Sequence, residues 1–317
     1  MLLSIPRSVK NLLKYFVKRL ILMVPVILGM TIIVFLILHL APGDPVDLIV
    51  GLHVTPEVYQ NIRQKYGLDK PLIIQYFKFI FNVLKGDLGK SILQQRPVSE
   101  LILMKIPVTL EIGIWGLILS FAIAIPLGVT AAVKRNTFVD YSCMTAAMFG
   151  ISLPIFYFGL LLVYFFAYKM RLFPISGYGT WKHAFLPIIT IGLTDAAITA
   201  RMVRSCMLEI LRQDYIRTAK SKGLAQKVVI YRHALKNAMI PIVTLLGMRI
   251  GWIIGGTVIL EIVFSRPGLG RLMIDSILAR DYPIVQGAMI VLTSSIILGN
   301  ILADFLYAVL DPRIRYK

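Results

Sequence analysis

Six apolar stretches, each about as long as a bilayer crossing, divide this chain of 317 residues. A hydrocarbon core of ~30 Å needs about 20 apolar helical residues to cross it. Lipid offers no partner to an unpaired backbone group, so such stretches fold as helices. We therefore predict an all-α integral membrane protein with about six transmembrane helices. The predicted spans are residues 20–41, 106–133, 143–168, 184–200, 238–263 and 282–310.

The composition agrees with a membrane protein and excludes a soluble domain. Hydrophobic residues make up 57% of the chain and charged residues 16%, whereas soluble domains have roughly 45–50% and 25%. The apolar stretches are spread along nearly the whole chain. One membrane domain is therefore favoured over the two domains that the length alone suggests.

The distribution of positive charge predicts which segments face the cytoplasm. The formal net charge is +18, which on its own suggests a nucleic-acid partner. The cations instead flank the apolar stretches, as they do on the cytoplasmic side of membrane proteins. We therefore predict no nucleic-acid partner and both termini in the cytoplasm. The predicted cytoplasmic segments are a basic leader at 1–19, a turn at Lys134 and Arg135, a loop at 201–237 and a tail at 311–317. The segments predicted to lie outside are residues 42–105, the stretch around Lys169 to Lys182, and residues 264–281.

Two further features concern the first span and the segment that follows it. The apolar part of residues 20–41 exceeds the 7–15 residues of a cleavable signal peptide, which predicts a retained span. Residues 71–84 are apolar with a lysine and two tyrosines. This pattern predicts an amphipathic helix on the membrane surface.

No catalytic or metal-binding constellation is visible in the sequence. Gly89, Lys90 and Ser91 imitate the end of a phosphate-binding loop, but Leu84 stands where that loop requires a glycine. The two cysteines and four histidines lack the spacing of a disulfide framework or a zinc site. We therefore expect no enzyme activity, metal or cofactor in this chain. If the chain drives uphill transport, the energy must enter through a partner.

Ionisable side chains within the predicted spans are costly in hydrocarbon and are expected to face protein or water. Asp195 and Arg249 lie nearest the span interiors and are candidate residues of a translocation pathway. Glu111 and Asp304 lie close enough to span ends to reach the lipid headgroups.

One predicted span carries a glycine at every fourth position: Gly247, Gly251 and Gly255. Such a small-residue stripe lets another helix approach closely. The stripe predicts helix packing, with a pore-lining hinge as the alternative.

The most informative segment follows the fourth predicted span and is too polar to cross a membrane. From Asp214 it reads as a short helix that stops at Gly223, a residue suited to a left-handed helix end, and a second short helix leads to Pro241. Such an elbow offers a rigid surface to a cytoplasmic partner. A basic loop held at an anionic membrane surface is the alternative, but it explains only the charge.

This segment resembles the coupling loop of ATP-binding-cassette importer permeases, in the variant of dipeptide, oligopeptide and nickel permeases. Thr218, Ala219 and Gly223 match the core of the loop motif, whereas Arg217 stands where the general motif has glutamate. The resemblance implies an ATPase-coupling site completed by Asp214, His233 and Asn237. Motifs similar to the same branch occur at residues 42–45, 66–72, 86–91, 107–110 and 264–270.

The resemblance implies a permease core over residues 106–310 in the cell membrane of a prokaryote. The implied partners are a second homologous permease, two cytoplasmic ATPase subunits that hold ATP and Mg²⁺, an extracytoplasmic solute-binding protein, and membrane lipid. In the family the last outer loop reaches toward the receptor or the pathway.

Several functions remain open at this point. Peptides are the expected substrate, and nickel complexes or oligosaccharides are the alternatives within the family. A secondary transporter driven by protons or sodium is a rival, but Asp195 is its one suitable carboxylate and no internal repeat is visible. An intramembrane enzyme would need paired catalytic groups within the spans, and the sequence contains none.

Overall fold

The computed structural model describes residues 7–40, 46 and 55–310, with side chains for 21–40, 46 and 55–306. Within these residues the regular secondary structure is helical, apart from one isolated β-bridge between Lys90 and Pro97. The helices are α1 (Arg7–Leu40), α2 (Pro56–Tyr66), α3 (Leu72–Leu84), α4 (Val98–Val133), α5 (Phe138–Ser152), α6 (Ile155–Leu162), α7 (Trp181–Ile210), α8 (Asp214–Ser221), α9 (Lys236–Gly256), α10 (Val258–Val263), α11 (Leu269–Leu278) and α12 (Tyr282–Leu310). Two π-helical segments adjoin them, Val163–Lys169 after α6 and Val229–Leu235 before α9.

Five helical stretches of the described chain are long and apolar enough to cross a membrane, and a bent pair supplies a sixth. These findings confirm the predicted all-helical membrane fold. The five are Ile21–Leu40, Val98–Val133, Trp181–Ile210, Gln226–Val263 and Tyr282–Leu306.

The bent pair joins α5 to α6 and its π-helical extension, with a bend of 100°. The break falls at Leu153 and Pro154. Leu153 is extended, with φ −86° and ψ 127°, because a residue before proline is disfavoured in the helical region. The third predicted span, residues 143–168, is therefore broken at Pro154.

The helices extend beyond the apolar stretches that predicted them. α4 begins at Val98 instead of residue 106, and α7 continues to Ile210 instead of residue 200. A helix needs no apolar side chains once it leaves the hydrocarbon, and lysine, arginine and glutamate are good helix formers. Both ends of the predicted cytoplasmic segment at 201–237 are therefore helical, and the connection between α7 and the helical stretch that begins at Gln226 is confined to residues 211–225 around α8.

Some predicted features fall outside the described residues. They are residues 42–45, the tail at 311–317, and the leader before Arg7. The remainder of the leader is described as the backbone of α1.

The chain divides into two compact units, Met1–Val108 with Pro267–Ile297, and Thr109–Arg266 with Leu298–Lys317. In the first unit, α3 packs along α1. The Tyr76 hydroxyl lies 3.1 Å from Thr31 Oγ1, and His39 Nε2 lies 3.3 Å from Gln75 Oε1. Because Thr31 is in the middle of the apolar part of α1, α3 lies beside that part and not beyond its end.

The segment that imitates a phosphate-binding loop is a structural tie in the same unit. The buried carboxylate of Asp281 accepts hydrogen bonds from the Ser91 hydroxyl and from the N–H groups of Ile92 at 3.1 Å and Leu93 at 3.3 Å. A carboxylate that receives three donors is well satisfied when buried. Ser91 therefore anchors the segment to the start of α12.

Candidate functional site

The elbow around α8 is held by apolar side chains in the second unit. Ile216 and Ala219 are buried and belong to a cluster with Val203 and Met207 of α7. The same cluster includes Val129 and Ala132 of α4, Val229 and Ala234 of the π-helical segment, and Ala238 and Ile242 of α9. One face of a short helix is thus packed against the ends of three long ones. Ala219, predicted as a coupling residue, contributes to this apolar anchor and not to the exposed surface.

The opposite face of the elbow is polar and exposed. Asp214, Arg217, Thr218 and Gly223 are all exposed. Arg217 Nη1 lies 3.7 Å from Asp214 Oδ1, and the Thr218 hydroxyl donates to the Asp214 carbonyl at 3.0 Å. An exposed ion pair of this kind adds little stability. This face is therefore available as a docking surface.

Gly223 has the left-handed conformation that the sequence predicted for it, with φ 76°. A Cβ at this position would meet no atom within 4 Å. The requirement for glycine is therefore conformational and not steric, since left-handed backbone is costly for most residues with a side chain. Gly223 sets the direction in which the chain leaves α8.

The start of α9 is tied directly to α8. Asn237 Nδ2 donates to the Tyr215 hydroxyl at 2.8 Å and to the His233 carbonyl at 3.1 Å. The structure thus places the Asn237 side chain at the elbow, whereas the half-buried His233 contributes a backbone carbonyl. Sequence reasoning missed Tyr215, because nothing in the local pattern shows that residues 22 positions apart meet.

The two candidate pathway residues contact each other. Asp195 Oδ1 on α7 lies 3.2 Å from Arg249 Nη1 on α9, and the side chains are 21% and 24% exposed. Each charge offsets the cost of burying the other. The pair also leaves part of each side chain accessible.

Two glycines of the predicted stripe are packing positions. Gly247 faces Ala303 of α12, and Gly251 meets Gly299 of the same helix, so closely that a Cβ at Gly299 would overlap the Cα of Gly251. Gly255, one turn further, is half-buried. The small residues therefore allow α9 and α12 to approach backbone to backbone.

A second ion pair ties the loop after α10 to α4, and the sequence did not predict it. The guanidinium of Arg266 is fully buried, pairs with the Glu111 carboxylate, and lies over the Tyr178 ring with 5.1 Å between the Cζ atom and the ring centroid. Nearby, the Thr109 hydroxyl donates to the buried Glu261 at 2.6 Å. Glu111 thus pairs within the protein, contrary to the expectation that it reaches the headgroups, because a cation from a distant loop lies beside it.

A third pair, also missed, joins α5 to the end of α7. Arg204 Nε and Nη2 donate to the two carboxylate oxygens of Asp140, both at 2.6 Å. The Asn136 N–H donates to the same carboxylate at 3.0 Å. Paired donors of this kind fix an orientation as well as a distance.

Among the described residues, no group of three or more His, Cys, Asp and Glu side chains is placed to hold a metal ion. Asp140, Asp195 and Glu111 are instead each paired with an arginine. The site therefore consists of the exposed elbow around α8 and the apolar cluster against which it packs. Ion pairs then connect the long helices to one another and to the loop after α10.

Comparison with known families gives two matches that together cover most of the chain. Residues 124–316 match the family described as binding-protein-dependent transport system inner membrane component. Residues 12–113 match the corresponding N-terminal family of the same transport systems.

The chain is also similar to individual proteins over nearly its full length. It is 42% identical to the glutathione transport system permease protein GsiC of Salmonella paratyphi A, over 96% of this chain and 100% of that protein. It is 40% identical to the protein of the same name from Escherichia coli K12, with the same coverage. A solved structure of the MetNI methionine ABC transporter shares the fold, with a TM-score of 0.59 at 18% identity, over 67% of this chain and 97% of that chain.

Proposed function

The chain belongs to the family of binding-protein-dependent transport system inner membrane components, the permeases of ATP-binding-cassette importers, and we propose that it imports a short peptide of the glutathione class. The similarity to permeases named for glutathione transport, over their whole length, carries this proposal. Glutathione is a tripeptide, so it falls within the substrate class that the sequence predicted. The nickel and oligosaccharide alternatives gain no support from these relatives.

We assign the energy source to partner subunits. The segment at Gly89 to Ser91 is a tie to Asp281 and leaves no phosphate-binding loop there. The proposed complex contains a second permease, two cytoplasmic ATPases that bind ATP and Mg²⁺, and an extracytoplasmic solute-binding protein. This chain then forms half of the pathway in a multi-pass membrane assembly, with both termini in the cytoplasm.

The elbow is the proposed point at which the ATPases act. Because Ile216 and Ala219 pack against α4, α7 and the start of α9, a displacement of α8 is passed to all three helices at once. Closely packed interiors transmit displacement and do not absorb it. ATP-driven closure of the ATPases would thus turn the long helices between inward-open and outward-open arrangements.

The ion pair of Asp195 and Arg249 is the proposed contact with substrate. It joins two helices that the elbow moves, and both side chains are partly exposed. A glutathione-like peptide carries an ammonium group and two carboxylates. A partly accessible carboxylate and guanidinium offer one partner for each sign of charge.

Reconstitution tests the proposed function. The chain, its partner permease, the two ATPases and the solute-binding protein are placed in liposomes, and uptake of labelled glutathione, a disaccharide and Ni²⁺ is measured with and without ATP. We expect ATP-dependent uptake of glutathione alone. ATP-dependent uptake of the disaccharide or Ni²⁺ without glutathione would refute the substrate, and proton-driven uptake by the chain alone would refute the importer.

A further inference from the structure

A cationic cleft opens in the first unit beside the C-terminal end of α1. It measures about 1020 Å³, including space open to solvent, and residues of α1, α2, α3 and the start of α12 line it. Four lysines line this cleft: Lys65, Lys70, Lys78 and Lys90. Among the residues that the structure describes, the one acid that lines it is Asp87, which already accepts the Gly89 N–H at 2.8 Å. The cleft therefore has the charge of an anion-binding site.

The lysine charges of this cleft are not neutralised from within the described part of the chain. Across residues 7–40, 46 and 55–310, none of the four ammonium groups forms an ion pair with a carboxylate. Four like charges around one cleft repel each other. An anionic ligand would relieve that repulsion.

An apolar groove continues from the cleft along the same helices. It measures about 240 Å³, including space open to solvent, and is lined by Ile27, Met30 and Val34 of α1 and by Met289 of α12, among others. Phe79 of α3 and Gln286 of α12 line both the groove and the cleft. A ligand that fills both would need a charged end and an apolar end.

The length of the combined site matches one leaflet of a bilayer. On α1 it extends from Ile27 in the groove to His39 in the cleft, which at 1.5 Å per residue is about 18 Å. Half of a hydrocarbon core is about 15 Å. The charged end lies where the apolar part of α1 ends at Leu40, which is where lipid headgroups begin.

The exposed face of α3 is also suited to contact with lipid. Ile73, Phe77, Phe81 and Leu84 follow each other at helical spacing and are 57–81% exposed. The ammonium group of Lys85 lies 4.1 Å from the centroid of the Phe81 ring, as a lysine does when it extends from an apolar face toward water. α3 thus presents apolar side chains outward beside the groove.

We infer that the cleft and the groove together bind an anionic phospholipid. The four lysines hold its phosphate, and one acyl chain lies in the groove between α1, α3 and α12. An acidic surface of a partner protein would satisfy the lysines but would leave the apolar groove unfilled. A lipid at this position would fix α3 against α1 and α12 without taking part in transport itself.

Native mass spectrometry of the full chain in detergent tests the inference, with phosphatidylglycerol, phosphatidylcholine and glycerol phosphate as the probes. The variant Lys78→Gln/Lys90→Gln removes two of the four charges, and Lys169→Gln/Lys182→Gln removes two exposed charges in the other unit. Each lysine near an anionic lipid contributes about a fivefold effect. We expect phosphatidylglycerol to bind roughly 30-fold more weakly to the first variant and unchanged to the second.

Three results would overturn the inference. They are equal loss of binding in both variants, equal binding of the zwitterionic lipid, and full competition by glycerol phosphate, which would show a free-anion site. In the assembled complex, phosphatidylglycerol with a photoreactive acyl chain should cross-link near Phe79 and Met289. If a partner polypeptide instead shields these residues from cross-linking by the lipid, the cleft is a protein-docking site.

Discussion

Asp195 of α7 and Arg249 of α9 form an ion pair with 3.2 Å between Oδ1 and Nη1. Both residues lie on helices apolar enough to cross a membrane, where an unpaired charge is costly. Each charge therefore depends on the other, and the pair is a tie between helices as well as a candidate contact with substrate.

Removal of one member of this pair should lower the free energy of unfolding more than removal of both members. Arg249→Gln leaves the carboxylate of Asp195 without its partner, and we expect a loss of about 3–5 kcal/mol in the free energy of unfolding. The double variant Asp195→Asn/Arg249→Gln should recover most of that loss. The free energy of unfolding in detergent is measured for the unchanged protein, for Arg249→Gln and Asp195→Asn singly, and for the double variant. If the double variant loses as much as the two single variants together, the charges are not coupled.

Loss of the ion pair between Glu111 and Arg266 should destabilise the protein more than loss of an exposed ion pair. Glu111→Gln leaves the fully buried guanidinium of Arg266 without a carboxylate, with an expected cost of about 3–5 kcal/mol. The matched control is Glu100→Gln, since Glu100 pairs with Arg96 at 2.5 Å but both are nearly half exposed. That control should cost less than about 1 kcal/mol. Equal effects in thermal unfolding would contradict the buried pairing.

The close contact between α9 and α12 predicts that alanine is not tolerated at Gly299, whereas it is tolerated at Gly29, a glycine outside this contact. Gly299→Ala places a methyl group against the Cα of Gly251 and should destabilise the protein by about 1–3 kcal/mol. Gly29→Ala in α1 meets nothing within 4 Å and should be neutral or slightly stabilising, because alanine favours a helix. Urea or detergent unfolding of the two variants checks this. A stable Gly299→Ala protein would show that the helices are further apart.

The left-handed backbone at Gly223 predicts which residues the elbow accepts. Gly223→Asn should retain coupling, because asparagine tolerates a positive φ, whereas Gly223→Val should not. The measurement is ATPase stimulation by substrate-loaded binding protein in the reconstituted complex. Since a Cβ here meets no neighbour, the two variants differ only in backbone preference. Equal stimulation by both would remove Gly223 from the proposed coupling role.

The apolar stretches predicted the number and type of the long helices, because length and hydrophobicity alone decide whether a segment crosses a bilayer. They did not predict where the helices end. α4 and α7 continue for several residues into polar sequence, where propensity and packing decide the boundary. A proline such as Pro154 disfavours a helical residue before it, but the size of the bend, 100°, depends on how α5 and α6 pack.

Pairings between helices could not be predicted from the chain alone. Asp195 and Arg249 were each proposed as pathway residues, but their contact depends on the rotation of two helices about their axes. The partner of Glu111 lies 155 residues away, and Tyr215 meets Asn237 across the turn that Gly223 makes. The lysine cleft has the same origin, since its members come from separate elements.

Site-specific cross-linking at the elbow tests the central claim most directly. The exposed Thr218 is changed to cysteine in a chain with Cys143→Ser and Cys206→Ser, and a photoreactive maleimide is attached there. We expect cross-links from Thr218→Cys to an ATPase subunit. In intact cells, a membrane-impermeant maleimide should not label this cysteine, whereas it should label a Lys182→Cys control from outside. Labelling of Thr218→Cys from outside, without a cross-link to the ATPase, would contradict the entry of force through the elbow.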